Sequence, residues 1–184
     1  MDNNQYDEQY YNRKKQWYRF TLGLQQLINI PIINLIWILF ANGVRNFVII
    51  ERKLVSDLNV YYLFKPIFNG CMQFILIFLS IICVIGIIQF IGYLTAKKDE
   101  GVVRKIFGKN KDVKLEPPIL IKKKKRKGVT TREFYTTISM REWKNKAEEI
   151  CDDLDIHLIR DITYGGKNEN TGYLRKMISG KGRN

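Results

Sequence analysis

Histidine and cysteine are nearly missing from this 184-residue chain, which has one His and three Cys. A zinc site needs four clustered ligands, and His157 has no such company. A disulfide-built secreted domain is excluded as well. Cys71 and Cys83 sit in one apolar run and Cys151 on a helix face, so all three read as small buried hydrophobes. The phosphate-cradling spacing G-x-x-x-x-G-K-[ST] does not occur. Gly165-Gly166-Lys167 lacks the upstream glycine and is followed by Asn168, and in Gly180-Lys181-Gly182 a glycine replaces the hydroxyl residue. Asp152, Asp153 and Asp155 fall late in an amphipathic helix and read as a solvated face. With no nucleophile–base pair either, the chain reads as non-catalytic, with no cofactor and no metal.

Acids are scarce too: 18 Asp and Glu against 31 Lys and Arg, a net charge of +13. The charge is unevenly placed. Residues 97–184 hold 23 of the 31 cations and 13 of the 18 acids, whereas residues 1–96 hold nearly all the long apolar runs. One soluble globule would not segregate its composition in this way.

Two windows contain no charge at all. The stronger, Pro66 to Ala96, is PIFNGCMQFILIFLSIICVIGIIQFIGYLTA. It exceeds the roughly 20 residues that cross a hydrocarbon core of about 30 Å, so a transmembrane helix is expected over 66–96. A second is expected over 20–44, centred on LINIPIINLIWILF and kinked at Pro31. No signal peptide is expected, since the N-terminal tail is long and no small-residue cleavage site follows the apolar stretch. Four cations precede the first span and four lie in the intervening loop, so that comparison is a tie. The flank after the second span, with Lys97, Lys98, Arg104, Lys105, Lys109, Lys111 and Lys114, decides the orientation. By the positive-inside bias both termini are cytoplasmic. The expected layout is a cytoplasmic tail (1–19), first span (20–44), external loop (45–65), second span (66–96), basic cytoplasmic linker (97–127) and a small α/β unit (128–184).

The linker ends in six consecutive cations, Lys122, Lys123, Lys124, Lys125, Arg126 and Lys127. Such a block repels itself and is expected at the surface. Three readings stand open: a solvated turn with no partner, attraction to the anionic inner leaflet, and salt-sensitive contact with DNA phosphates. Ile119-Leu120-Ile121 is expected as a short hairpin arm, with the cations forming its turn.

Residues 129–138, VTTREFYTTI, read as a strand. Ser139 with Glu142 three residues on forms a capping box. Trp143, Ala147, Ile150, Cys151 and Leu154 then mark one face of a helix. Residues 156–162 read as a second strand, Tyr164-Gly165-Gly166 as a turn, 167–172 as a polar loop, and Tyr173 to Ile178 as a third strand. The expected fold class is thus a membrane α-helical hairpin followed by a cytoplasmic β-α-β-β unit. A core of so few residues is marginal alone and is expected to lean on a partner or a neighbouring copy.

Two spans, a basic linker, and then Gly128, Val129–Ile138, Ser139–Leu154 and Ile156–Ile162 form a pattern. It resembles the front end of an FtsK/SpoIIIE-type DNA translocase, in the versions that serve as coupling proteins on conjugative elements of Gram-positive bacteria. The motor's Walker A and Walker B are not in this sequence. The resemblance therefore implies a truncated or split coupling protein, an anchor plus pre-motor segment that does not itself pump DNA. The partners it implies are the bilayer, DNA, a full-length translocase or transfer-channel subunits, and further copies of the chain. The alternative expectation is a two-span structural subunit of a secretion or cell-envelope complex whose cations meet anionic lipid.

Overall fold

A computed structural model describes residues 3–57, 64–108, 116–165 and 171–181. The tip of the expected external loop (58–63), Lys109, Lys111 and Lys114, most of the polar loop, and the last three residues lie outside that set. The chain forms two long apolar helices and a small four-stranded antiparallel sheet. It divides into two compact units, 30–87 on one side and 1–29 with 88–184 on the other.

Among the described residues of the unit over 30–87, all but Ile30 and Phe64 are helical. Ile30 is extended (φ −130°, ψ 85°), as a residue before proline prefers, and Pro31–Asn34 forms one 3₁₀ turn. Helix α2, Leu35–Asp57, follows. The first part of helix α3, Lys65–Phe107, completes the unit. Pro31 therefore separates two helices rather than kinking one span. The first apolar window runs Pro31–Ile50 in place of the expected 20–44. A narrow apolar cleft of about 240 Å³ lies between Phe40, Gly43, Val44 and Phe47 of α2 and Leu76, Leu79, Ser80 and Cys83 of α3. Elsewhere large side chains point outward, among them Leu39 (72% exposed), Phe74 (63%) and Ile82 (62%).

The other unit begins with helix α1, Asn3–Asn29, where a tail was expected. It continues with the last turns of α3, strand β1 (Ile119–Arg126) and strand β2 (Val129–Tyr135). Helices α4 (Met140–Asn145) and α5 (Ala147–Leu154) and strands β3 (Ile156–Gly165) and β4 (Thr171–Lys181) complete it. The sheet order is β1-β2-β4-β3, with every neighbour antiparallel. Over 128–184 the order is β-α-β-β, as expected, and β1 from the basic stretch before it adds a fourth strand, so the sheet is two hairpins joined by a helical connection.

Local signals explain much of it. Ser139 caps α4 by accepting the Glu142 N–H at 3.3 Å. The expected single helix breaks at Lys146 (φ −101°, ψ 8°) and ends at Asp155 in the left-handed region. Its apolar face nonetheless holds: Trp143, Ile150 and Leu154 are buried.

The core is completed from the other end of the sequence. Residues 97–107, expected as linker, are the last turns of α3 and place Val103, Ile106 and Phe107 in the core. The Phe107 and Phe134 rings flank Trp143 at 5.1 and 5.4 Å. Leu22 of α1 joins the same cluster. The support that the small α/β segment needs comes from its own chain.

Helices α1 and α3 approach at backbone distance through two glycines. A Cβ on Gly23 would lie 2.0 Å from the Ile88 carbonyl oxygen, and one on Gly92 would lie 1.9 Å from that of Arg19. Gly23→Ala or Gly92→Ala should force the helices apart and destabilise this unit by about 1–3 kcal/mol. Gly101→Ala, whose Cβ meets nothing within 4 Å, should not. Amide exchange of β1 and α1 in the full chain measures the difference.

Candidate anion-binding hairpin

The six cations do not form a turn. Five of them are the body of β1, and the turn is Lys127-Gly128, closing Arg126 against Val129. Both turn residues have positive φ, 48° and 80°, as a two-residue hairpin with the sheet's twist demands. Lysine is a poor strand former, and what recruits the run is pairing with β2 and neutralisation by acids on both faces.

Those acids divide the cations. Lys122 faces Glu133 across the ladder, with nitrogen and oxygen 3.6 Å apart. Lys123 Nζ lies 2.6 Å from Asp99 Oδ2, and Arg132 Nε lies 3.3 Å from the same oxygen. Lys124, Lys125, Arg126 and Lys127 are exposed and have no ion-pair partner among the described residues. Opposite them stand Thr131, Thr130 and Val129, none of which is acidic. Of the six expected anion-binding residues, two are structural and four form a free cationic tip.

The acids that do this were not singled out by sequence reasoning. Asp99 and Glu100 follow the uncharged run of α3 after Lys97 and Lys98, and Asp99 is 1% exposed. Glu100 pairs with Arg19 of α1, and its other oxygen accepts the Leu120 N–H at 2.8 Å. Arg132, held by Asp99, donates to Ser179 Oγ at 2.7 Å. Two more bonds tie α1 to the chain at β1: Tyr11 donates to the Pro117 carbonyl at 2.8 Å, and Gln26 to the Lys123 carbonyl at 3.0 Å. α1 thus lies along β1, and two of the strand's polar groups, the Leu120 N–H and the Lys123 carbonyl, are met from outside the sheet. The available signal was two adjacent acids in an otherwise basic flank (KKDEG).

Aromatic side chains near the run are already occupied. Phe134 is fully buried, and Tyr135 stacks on Tyr173 at 6.0 Å with Lys14 Nζ 3.6 Å from its ring centre. Around His157, as elsewhere among the described residues, no group of three His, Cys, Asp or Glu stands close enough together to hold a metal ion. The His157 ring packs where a Cβ on Gly180 would be. Cys151 and His157 border one open groove, and burial pushes the Cys151 thiol above its usual range, which disfavours the thiolate.

No protein-family model matches the chain. No curated protein matches it either. Among solved structures it is similar to the pCW3 conjugation coupling protein TcpA, in a monomer form with ATPγS, at TM-score 0.37 and 21% identity. The match covers 46% of this chain and 24% of that one, so the chain spans about a quarter of that protein's length. The neighbour is a conjugation coupling protein.

Asp99→Asn leaves Lys123 and Arg132 without their shared carboxylate and should cost about 3 kcal/mol, read as a lower urea midpoint. Lys122→Gln, on a half-exposed pair, should cost under about 1 kcal/mol. The phenol of Tyr11 is raised above its ordinary 10.0, chiefly by burial and then by Glu100. The folded state therefore holds that proton more tightly. Its contribution to stability is complete below pH 10.0 and falls as pH climbs further. Tyr11→Phe should lose about 1 kcal/mol at neutral pH and show a weaker decline in alkali.

Proposed function

We propose that the chain is a membrane-anchored, non-catalytic interaction module of a conjugative DNA-transfer machine, with both termini cytoplasmic. The observation that carries the anchoring is α3 itself. One uninterrupted helix, Lys65–Phe107, is apolar all round and largely exposed over its first part and contributes to the core of a charged unit at its end. A helix apolar all round and uncovered by protein belongs in lipid. The second apolar window, Pro31–Ile50, has the length of a return crossing.

The transfer-machine assignment rests on the layout that resembles coupling proteins: two spans, then Gly128, the β2 strand and the Ser139-capped helices. The role proposed for these residues is to hold or recruit other components: a full-length translocase, transfer-channel subunits, or further copies of the chain. No side-chain constellation among the described residues calls for catalysis.

Two measurements test this reading. The full chain should stay in the pellet after alkaline carbonate washing, and a reporter placed between Glu51 and Lys65 should be external while one after Asn184 is cytoplasmic. Crosslinking in a cell that expresses the transfer genes should capture a translocase or channel component. Release into the carbonate supernatant defeats the anchor, and capture of envelope proteins alone defeats the transfer assignment.

A further inference from the structure

The acids of the charged unit divide as its cations do. Five of the chain's 18 Asp and Glu fall within residues 148–155, EEICDDLD, with no cation among them. Two are engaged locally: Glu149 pairs with Lys146 at 2.6 Å and Asp153 with Lys105 at 3.0 Å. Glu148, Asp152 and Asp155 are exposed and have no ion-pair partner among the described residues. These three line the open groove of about 650 Å³ where α5 meets the start of β3. Ala147, Ile156 and Leu158 line it too, and no Lys or Arg does.

The sheet fixes where this groove stands relative to the cationic tip. Lys125 pairs with Thr130, Thr130 with Ser179, and Ser179 with Leu158, one row across all four strands. Tip and groove therefore share one end of the sheet and occupy its opposite margins, β1 and β3. Three strand spacings of ~4.8 Å set those margins about 14 Å apart. An ion pair needs contact within about 4 Å, so a tip does not neutralise the groove of its own copy. Both patches belong to one compact unit, and their separation is a property of that unit alone.

A net charge of +13 drives copies apart unless patches of opposite sign are matched. Here they are matched: four unneutralised cations on one margin, three unneutralised acids on the other. A foreign polyanion would satisfy the tip and leave the acids of the groove unmet, whereas a second copy satisfies both. We propose that Lys124, Lys125, Arg126 and Lys127 of one copy dock in the groove of a second, against Glu148, Asp152 and Asp155. The contact is head-to-tail: a copy engaged through its tip still offers its groove, so further copies add in the same sense. Side chains make the joint, with no strand pairing at β3. The proposal rests on the interaction-module reading and names one partner of that module, the chain itself.

The test uses the full chain in mild detergent, carrying two different tags so that one copy pulls down the other. The tip reversal Lys124→Glu/Arg126→Glu and the groove reversal Glu148→Lys/Asp152→Lys touch none of the ion pairs that hold the unit. Each alone should weaken self-association roughly tenfold or more. Mixing the two reversed copies should restore it, because each tip then meets a groove of opposite sign, and a misfolded variant would not be rescued in this way. The milder Lys124→Gln/Arg126→Gln and Glu148→Gln/Asp152→Asn should show smaller losses, and high salt should dissolve the unaltered contact. Association that ignores both reversals overturns the proposal, as does loss with no rescue on mixing. Loss with the tip reversal alone also overturns it and gives the tip a different acidic partner. Copies that do not join each other but still crosslink to a translocase or channel component reject this contact alone; failure of both rejects the module reading with it.

Discussion

Two adjacent carboxylates, Asp99 and Glu100, organise the charged unit. They stand where the uncharged run of α3 has just ended, and each reaches a different part of the structure. Asp99 gathers Lys123 and Arg132 from β1 and β2, and Glu100 gathers Arg19 from α1 and the Leu120 amide from β1. Buried charge of one sign is costly unless it is paired and hydrogen-bonded, and here every paired cation comes from another element. The packing of α1, the placement of the sheet and the strand character of β1 all depend on that arrangement.

The same pairing gives the polybasic run two roles. Its first two cations are consumed in holding β1 to the acids, and its last four are left to the surroundings. A run of like charge therefore carries an internal boundary that composition does not show. The boundary falls between Lys123 and Lys124, where the carboxylates stop and threonines begin.

What was legible in the sequence was what local period and local chemistry determine. The 66–96 window, the β2 strand, the Ser139 cap and the face of Trp143, Ile150 and Leu154 all appear where a reading of neighbouring residues puts them. What was not legible depends on residues distant along the chain. Lys122–Arg126 is a strand because Asp99 and Glu133 accept its charge, and no window centred on the lysines contains Asp99. The turns of α3 after Ala96 look like hydrophilic linker until Val103, Ile106 and Phe107 are seen to be the missing core of the sheet. The N-terminal tail is helical because β1 offers it an edge. The cationic tip was found as a block, but its division into paired and free residues required the fold.

The coverage of β1 leaves the sheet with β3 as its other border. Its pairing with β4 slips between Leu158 and Arg160, again between Arg160 and Thr163, and again between Tyr164 and Gly165. A foreign strand approaching that border would meet a broken sequence of donors and acceptors, and an interrupted ladder is a poor template. Both margins of the sheet are thus poor templates for edge-to-edge pairing, one by a helix and one by irregularity. Any copies of the chain that meet must then join through side chains, outside the open-ended geometry of a growing β-ribbon.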